Sequence, residues 1–191
     1  MNHLAQILEN TKEQVVNYVL EHPWQIFALG RLLTDLGKDD VSVFDRKNMA
    51  GHITTSALVV NESETHALLV HHKAYGLWLP PGGHMEPDAP SLWQSAAREV
   101  LEETGLVLTD RYLPLLDIDT HPIPARPSKN EGPHWHHDFM FLATAPDDFV
   151  PTAQECEVHA AEWRPISDLT KSSNARMRRL GEKFRERQIS L

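Results

Sequence analysis

Glu99, Glu102 and Glu103 stand at i, i+3 and i+4 in a segment whose apolar residues Leu92, Ala96, Ala97, Val100 and Leu101 recur at helical spacing. A helix over these positions puts three carboxylates on one face within a single turn, with Arg98 beside them. Like charges packed this closely repel unless a cation offsets them. Clustered hard oxygen donors suit Mg2+ or Mn2+, ions that keep several waters and engage phosphate oxygens at the same time. A charge run is ordinarily a solvated helix face, and what sets this one apart is the chain immediately before it.

That preceding chain is Trp78-Leu79-Pro80-Pro81-Gly82-Gly83, in which two adjacent glycines let the backbone turn sharply and approach a bound group. Ser91 with Gln94 three residues later forms a capping box, so the helix is expected to start near Ser91. Thr104-Gly105 ends it, glycine being suited to the left-handed turn past a helix C-terminus. Together these residues form a glycine turn, a capped helix and a carboxylate ladder.

The run Arg98-Glu99-Val100-Leu101-Glu102-Glu103-Thr104-Gly105-Leu106, preceded by Gly82-Gly83, resembles the signature of the Nudix hydrolases. The second half of that signature is matched in full. The first half departs from it, because the family's glycine is followed six residues later by a glutamate and eight further on by the arginine. Counting forward from Gly83 reaches Ala89, and counting back from Arg98 reaches Pro90, so the loop is one residue longer and lacks that glutamate. In the family this glutamate braces the arginine, so Arg98 is expected to pair instead with Glu86, Asp88 or a carboxylate of its own helix. The resemblance covers roughly residues 52 to 170. It implies an α/β fold, a Nudix-type α/β/α sandwich with a mixed sheet, here carrying an N-terminal helical extension.

The resemblance also implies metal-dependent hydrolysis of a phosphoanhydride in a nucleoside diphosphate linked to another group. Gly82, through its carbonyl, Glu99, Glu102 and Glu103 are the expected ligands of Mg2+ or Mn2+, with Arg98 and Glu99 among the catalytic residues. Glu155 and Glu157 join them, because in many family members a loop before the closing strand supplies a further acid. Glu99 is the favoured general base, with the loop acids as the alternative. A non-catalytic nucleotide-binding domain and an isoprenoid-diphosphate isomerase are the competing functional readings.

A net charge of −9 across 191 residues is the wrong sign for a dedicated nucleic-acid or anionic-membrane binder. The expected partner is a small nucleotide-type substrate, with nucleic acid entering only as a capped end. The single cysteine, Cys156, makes no internal disulfide. The start Met1-Asn2-His3-Leu4 lacks the features of a signal peptide, and no apolar run reaches the ~20 residues that span a bilayer, so a cytoplasmic location is expected.

Residues 1–50 read as a helical extension and 51–191 as the catalytic domain with a C-terminal helix. Leu4, Ile7, Leu8, Val15, Tyr18 and Val19 keep a helical period that His22-Pro23 interrupts before it resumes from Trp24 to Leu36. This hairpin is expected to cap the sheet or to pair with another copy in a homodimer. Ile53–Val60 and His66–His72 form a strand hairpin; Leu106–Leu108, Leu113–Asp119, Phe139–Ala143 and Val158–Trp163 are further extended segments. His121 to Pro127 reads as a loop, since proline is barred from a sheet interior. In a strand, His134, His136 and Asp138 share one face, a pattern read as substrate contact with transition-metal ligation or a structural role as alternatives. Arg176, Arg178, Arg179, Lys183, Arg185 and Arg187 make the last helix basic, read first as a solvated face and second as an interface with the acidic body.

Overall fold

The protein is described by a computed structural model covering residues 3–109, 112–127, 131–154 and 158–190. Seven strands form one mixed sheet: β1 (His52–Asn61), β2 (His66–His72), β3 (Leu77–Leu79), β4 (Gly82–His84), β5 (Leu115–Ile123), β6 (His134–Ala145) and β7 (Val158–Pro165). The order is β3-β2-β1-β6-β5, with β4 also on β1 and β7 on β2. β1 runs parallel to β6 from His52↔His136 to Asn61↔Ala145, and the other pairings are antiparallel. Every residue of β1 is buried, as expected of a strand covered on both faces.

The side-chain alternation of the strands sorts the core into two layers. On one face Ile53, Ala57, Val59, Leu68, Phe139 and Phe141 pack with α1 (His3–Glu21), α2 (Gly30–Leu36) and α3 (Leu92–Thr104). On the other, Leu58, Val60, Ala67, Leu69, Met140 and Leu142 meet α4 (Ile166–Thr170) and α5 (Ala175–Ser190). The result is the expected α/β/α sandwich. The N-terminal helices cap the sheet: Ile7, Leu8, Val15, Tyr18, Leu32 and Leu36 share one core with it. Buried Asp35 adds a polar tie, accepting from Arg31 (2.8 Å), Lys38 (2.5 Å) and the His137 ring (3.2 Å).

Four local expectations are corrected. The second helix starts at Gly30 rather than Trp24, because Pro23 opens a short 3-10 turn over Pro23–Gln25 and leaves Phe27 92% exposed. Leu106–Leu108 forms no strand. Residues 121–123 do belong to β5, with Pro122 opposite Trp135; β5 is an edge strand, where a missing N–H on the open side costs no ladder bond. Finally, three cations of α5 are ion-paired to the body of the domain and are not a simple solvated face. Arg179 and Lys183 reach fully buried Asp117 at 3.0 and 2.6 Å, Arg179 reaches Asp119 at 2.5 Å, and Arg176 pairs with Asp138. Tyr18 of α1 donates to the same Asp117 at 2.6 Å, so a charge network through the sheet edge links both helical layers.

Candidate active site

The helix that carries the carboxylates begins and ends as its sequence dictates. The Ser91 hydroxyl accepts from the Gln94 amide, and Gly105 caps the C-terminus at φ 74°. Its buried face differs in one respect from the apolar stripe: Leu101 is 45% exposed, whereas Glu99 and Glu103 are buried with Leu92, Ser95, Ala96, Val100 and Thr104. The Thr55 hydroxyl donates to Ser95 at 3.0 Å, setting the helix against β1 at this point. Glu102 lies one step around the helix, with its side chain 45% exposed. The ladder therefore points along the sheet edge of α3, with two members inside and one at the rim.

β4 is the other wall. It pairs antiparallel with β1 through Thr54↔His84, Thr55↔Gly83 and Ser56↔Gly82. The Gly82 amide donates to the Glu103 carboxylate at 2.9 Å. Gly83 faces Glu99 so closely that a Cβ there would lie 2.5 Å from Glu99 Oε1 and 2.8 Å from Oε2. Both glycines are thus required by close approach, and their φ values are not left-handed. The structure brings Gly82, Gly83, Glu99 and Glu103 together, with Glu102 adjacent.

Arg98 is braced from its own helix. Its guanidinium donates to Glu99 Oε1 at 2.5 Å, to Glu102 Oε2 at 2.6 Å and to the His84 carbonyl at 2.9 Å. Burial disfavours its charge, but Glu102 and Glu99 outweigh this and hold the guanidinium more firmly protonated. The fork thereby clamps β4 to α3, in place of the absent loop glutamate. Glu155 and Glu157 lie outside the described residues. The preceding part of their loop passes the end of α3, where the Thr152 amide donates to the Thr104 carbonyl at 2.9 Å. Two surface clefts, one lined by Trp78, Arg164 and Met177 and the other by Asn61, Asp147 and Trp163, contain none of the carboxylates.

His134, His136 and Asp138 share one face of β6 but not one environment. Asp138 is buried among Arg176, the Thr54 hydroxyl (2.9 Å) and the Ser56 hydroxyl (2.5 Å). His134 and His136 instead meet each other, Nε2 to Nε2 at 3.1 Å, and are joined by His52 and His84. Burial first, and then the neighbouring imidazoles, hold His136 far below the usual histidine range and so neutral; burial also lowers His52. The sequence reading missed His52 and His84. The only signal was abundance, 12 histidines in the chain, since cross-strand register decides which of them meet.

Known proteins resemble this chain in sequence and in fold. The chain is 29% identical over 135 residues to Nudix hydrolase 6 of Arabidopsis thaliana, covering 63% of this chain and 41% of that protein. It is 34% identical over 90 residues to a probable DHNTP pyrophosphohydrolase of Lactococcus lactis, covering 47% and 52%. The chain therefore spans about half or less of the length of these curated relatives. Among solved structures, the E. coli dihydroneopterin triphosphate pyrophosphohydrolase superposes with a TM-score of 0.57 at 17% identity, over 69% of this chain and 93% of that one, a likeness of fold. The NUDIX domain model matches residues 51–184, from the glycine before β1 into α5, and the chain belongs to the NUDIX family.

Proposed function

We propose that the protein is a metal-dependent pyrophosphohydrolase that cleaves a phosphoanhydride bond in a nucleoside diphosphate linked to another group. The observation that carries this reading is the Glu99, Glu102 and Glu103 ladder held against a Gly82-Gly83 wall too close to admit any side chain. The donor set fits Mg2+ or Mn2+, hard ions that take carboxylate and carbonyl oxygens; Glu99, Glu102, Glu103 and the Gly82 carbonyl would hold the ion. Once bound, such an ion screens diphosphate charge and makes water more acidic. The relative named as a probable DHNTP pyrophosphohydrolase, and the one named as a Nudix hydrolase, support a hydrolase of this kind.

The chain's own residues divide the remaining work. Arg98 fixes the Glu99 and Glu102 carboxylates and ties them to the His84 carbonyl, so the ladder is oriented before substrate arrives. Glu99 is assigned as the acceptor of the water proton, and Glu155 or Glu157 as the alternative, supported by the contact of Thr152, earlier in the same sequence segment, with Thr104. The test is a panel of ADP-ribose, nucleotide sugars, dinucleoside polyphosphates, NADH, capped RNA and nucleoside triphosphates with Mg2+ or Mn2+, followed by product analysis. Turnover that needs the divalent ion and yields two phosphorylated products is expected. Tight nucleotide binding without turnover under any metal would overturn it in favour of a non-catalytic binding domain.

A further inference from the structure

Beside the carboxylate ladder, but not part of it, lies a second group of metal-binding character. His52 at the start of β1, His84 at the end of β4 and His136 near the start of β6 each offer a ring nitrogen, and these atoms all lie within 4.8 Å of one another. The arrangement follows from register. His52 is directly opposite His136 in the parallel β1–β6 pair, and His84 is opposite Thr54, two residues along the same face of β1. Three rings from three strands therefore converge on one spot.

The second observation is at His52, which is 1% exposed. Its Nδ1 lies 3.2 Å from the Asn48 carbonyl, which fixes that nitrogen as the N–H donor and leaves Nε2 as a lone pair. That Nε2 is buried and has no hydrogen-bond partner among the described residues. His134 repeats the pattern: its Nδ1 is 2.8 Å from the Gly132 carbonyl, and its Nε2 faces His136. An imidazole whose far nitrogen donates to a carbonyl is the arrangement that orients histidine toward a metal. His121, edge-on to His136 at 5.8 Å, is itself paired with Asp119 at 2.8 Å. The converging set itself consists of three imidazoles and contains no carboxylate.

We infer that His52, His84 and His136 form a binding site for an imidazole-preferring transition-metal ion of the Zn2+ class, separate from the carboxylate site, with His134 as the nearest further imidazole. Neutral imidazole nitrogens suit Zn2+, Co2+ or Ni2+ and not Mg2+. Bound there, the ion would staple β1, β4 and β6 together. Because the His84 carbonyl also holds Arg98, the staple fixes the strand that forms the glycine wall. His84 is thereby a ligand through its ring and a brace through its backbone.

The experiment uses the full chain, free of any affinity tag, carrying Glu102→Gln and Glu103→Gln so that the carboxylate site no longer dominates metal uptake. After chelator treatment, Co2+ is titrated while visible absorption is followed, and Zn2+ is titrated by calorimetry. One equivalent of Co2+ with the intense bands of a four-coordinate site is expected, displaced by Zn2+ and unaffected by excess Mg2+. Adding His136→Gln or His84→Asn should weaken Zn2+ at least tenfold. Absence of a stoichiometric Co2+ or Zn2+ site, or affinity unchanged by both histidine substitutions, would overturn the assignment. Should His136→Gln unfold by circular dichroism, the half-buried His84 decides the matter alone. Loss of hydrolysis in an Mg2+ assay of the wild-type chain bears on the carboxylate site and leaves this result standing.

Discussion

The two glycines of β4 are both sealed by close neighbours, yet their replacement should fail in different ways. At Gly83 an added Cβ would meet Glu99 Oε1, Cδ and Oε2 at 2.5, 2.7 and 2.8 Å, all at the far end of one side chain. At Gly82 it would meet the Thr55 carbonyl oxygen at 2.7 Å and Ser56 Cα at 2.8 Å, backbone atoms of the central strand that have nowhere to go. Overpacking costs typically 1–3 kcal/mol. Gly83→Ala belongs at the low end, about 1 kcal/mol, because the carboxylate can swing; Gly82→Ala belongs at about 3 kcal/mol, because β1–β4 pairing must part. At roughly 2–4 °C per kcal/mol for a chain of this size, Gly83→Ala should lower Tm by about 2–4 °C and Gly82→Ala by about 6–12 °C. Activity reverses the order of interest: displacing Glu99 by about 1 Å should cost about a hundredfold in kcat despite a nearly intact fold. Thermal melts beside Mg2+-dependent turnover read both quantities. Gly83→Ala with full kcat would refute the claim that this wall positions Glu99, and Gly82→Ala melting like wild type would refute the packing argument.

Glu103→Gln keeps an oxygen for the Gly82 amide and removes only charge, so it should fold normally and lose at least about a hundredfold in kcat, and full activity in excess chelator or in this variant would remove the basis for the ladder's role. If Glu99 is the base, Glu99→Gln loses rate while Glu155→Gln and Glu157→Gln stay active; loss of kcat at unchanged metal affinity in a loop variant instead transfers that role to the loop. Arg98→Lys cannot reproduce three directed contacts from one planar fork and should weaken metal affinity, read as a raised Mg2+ requirement, by about tenfold. Asp119 is held well below the usual carboxylate range: burial alone would raise it, but His121, Arg179 and Arg176 prevail. A folded-state pKa below the unfolded one gives stability that is complete above the unfolded value and lost as pH falls, so urea midpoints should drop below about pH 4, and Asp119→Asn should flatten that drop. Arg179→Ala strands part of the charge on Asp117 and Asp119 and should cost about 3 kcal/mol, the low end for a broken buried pair, since Lys183 and Tyr18 still reach Asp117.

What the sequence determined by itself is local and periodic. Ser91, Gln94 and Gly105 set the ends of α3 through backbone groups a few residues away, and the i, i+3, i+4 spacing of the glutamates places them on one face in any helix. β1 and β2 were legible for the same reason, their β-branched runs being bounded by a polar turn. Tertiary structure decided which side of α3 is the inside. By spacing Leu101 belongs to the apolar stripe, yet the sheet lies against Glu99 and Glu103, because the Gly82-Gly83 wall brings Gly82's amide within hydrogen-bonding distance of Glu103. It also decided that Pro122 sits in a strand, since an edge position is a property of the sheet order and not of the residue. The cations of α5 read as solvated because their partners, Asp117, Asp119 and Asp138, are 38 to 66 residues away in the chain. The convergence of His52, His84 and His136 has the same origin: parallel pairing of β1 with β6 joins residues 84 apart, a contact that no window of local sequence contains.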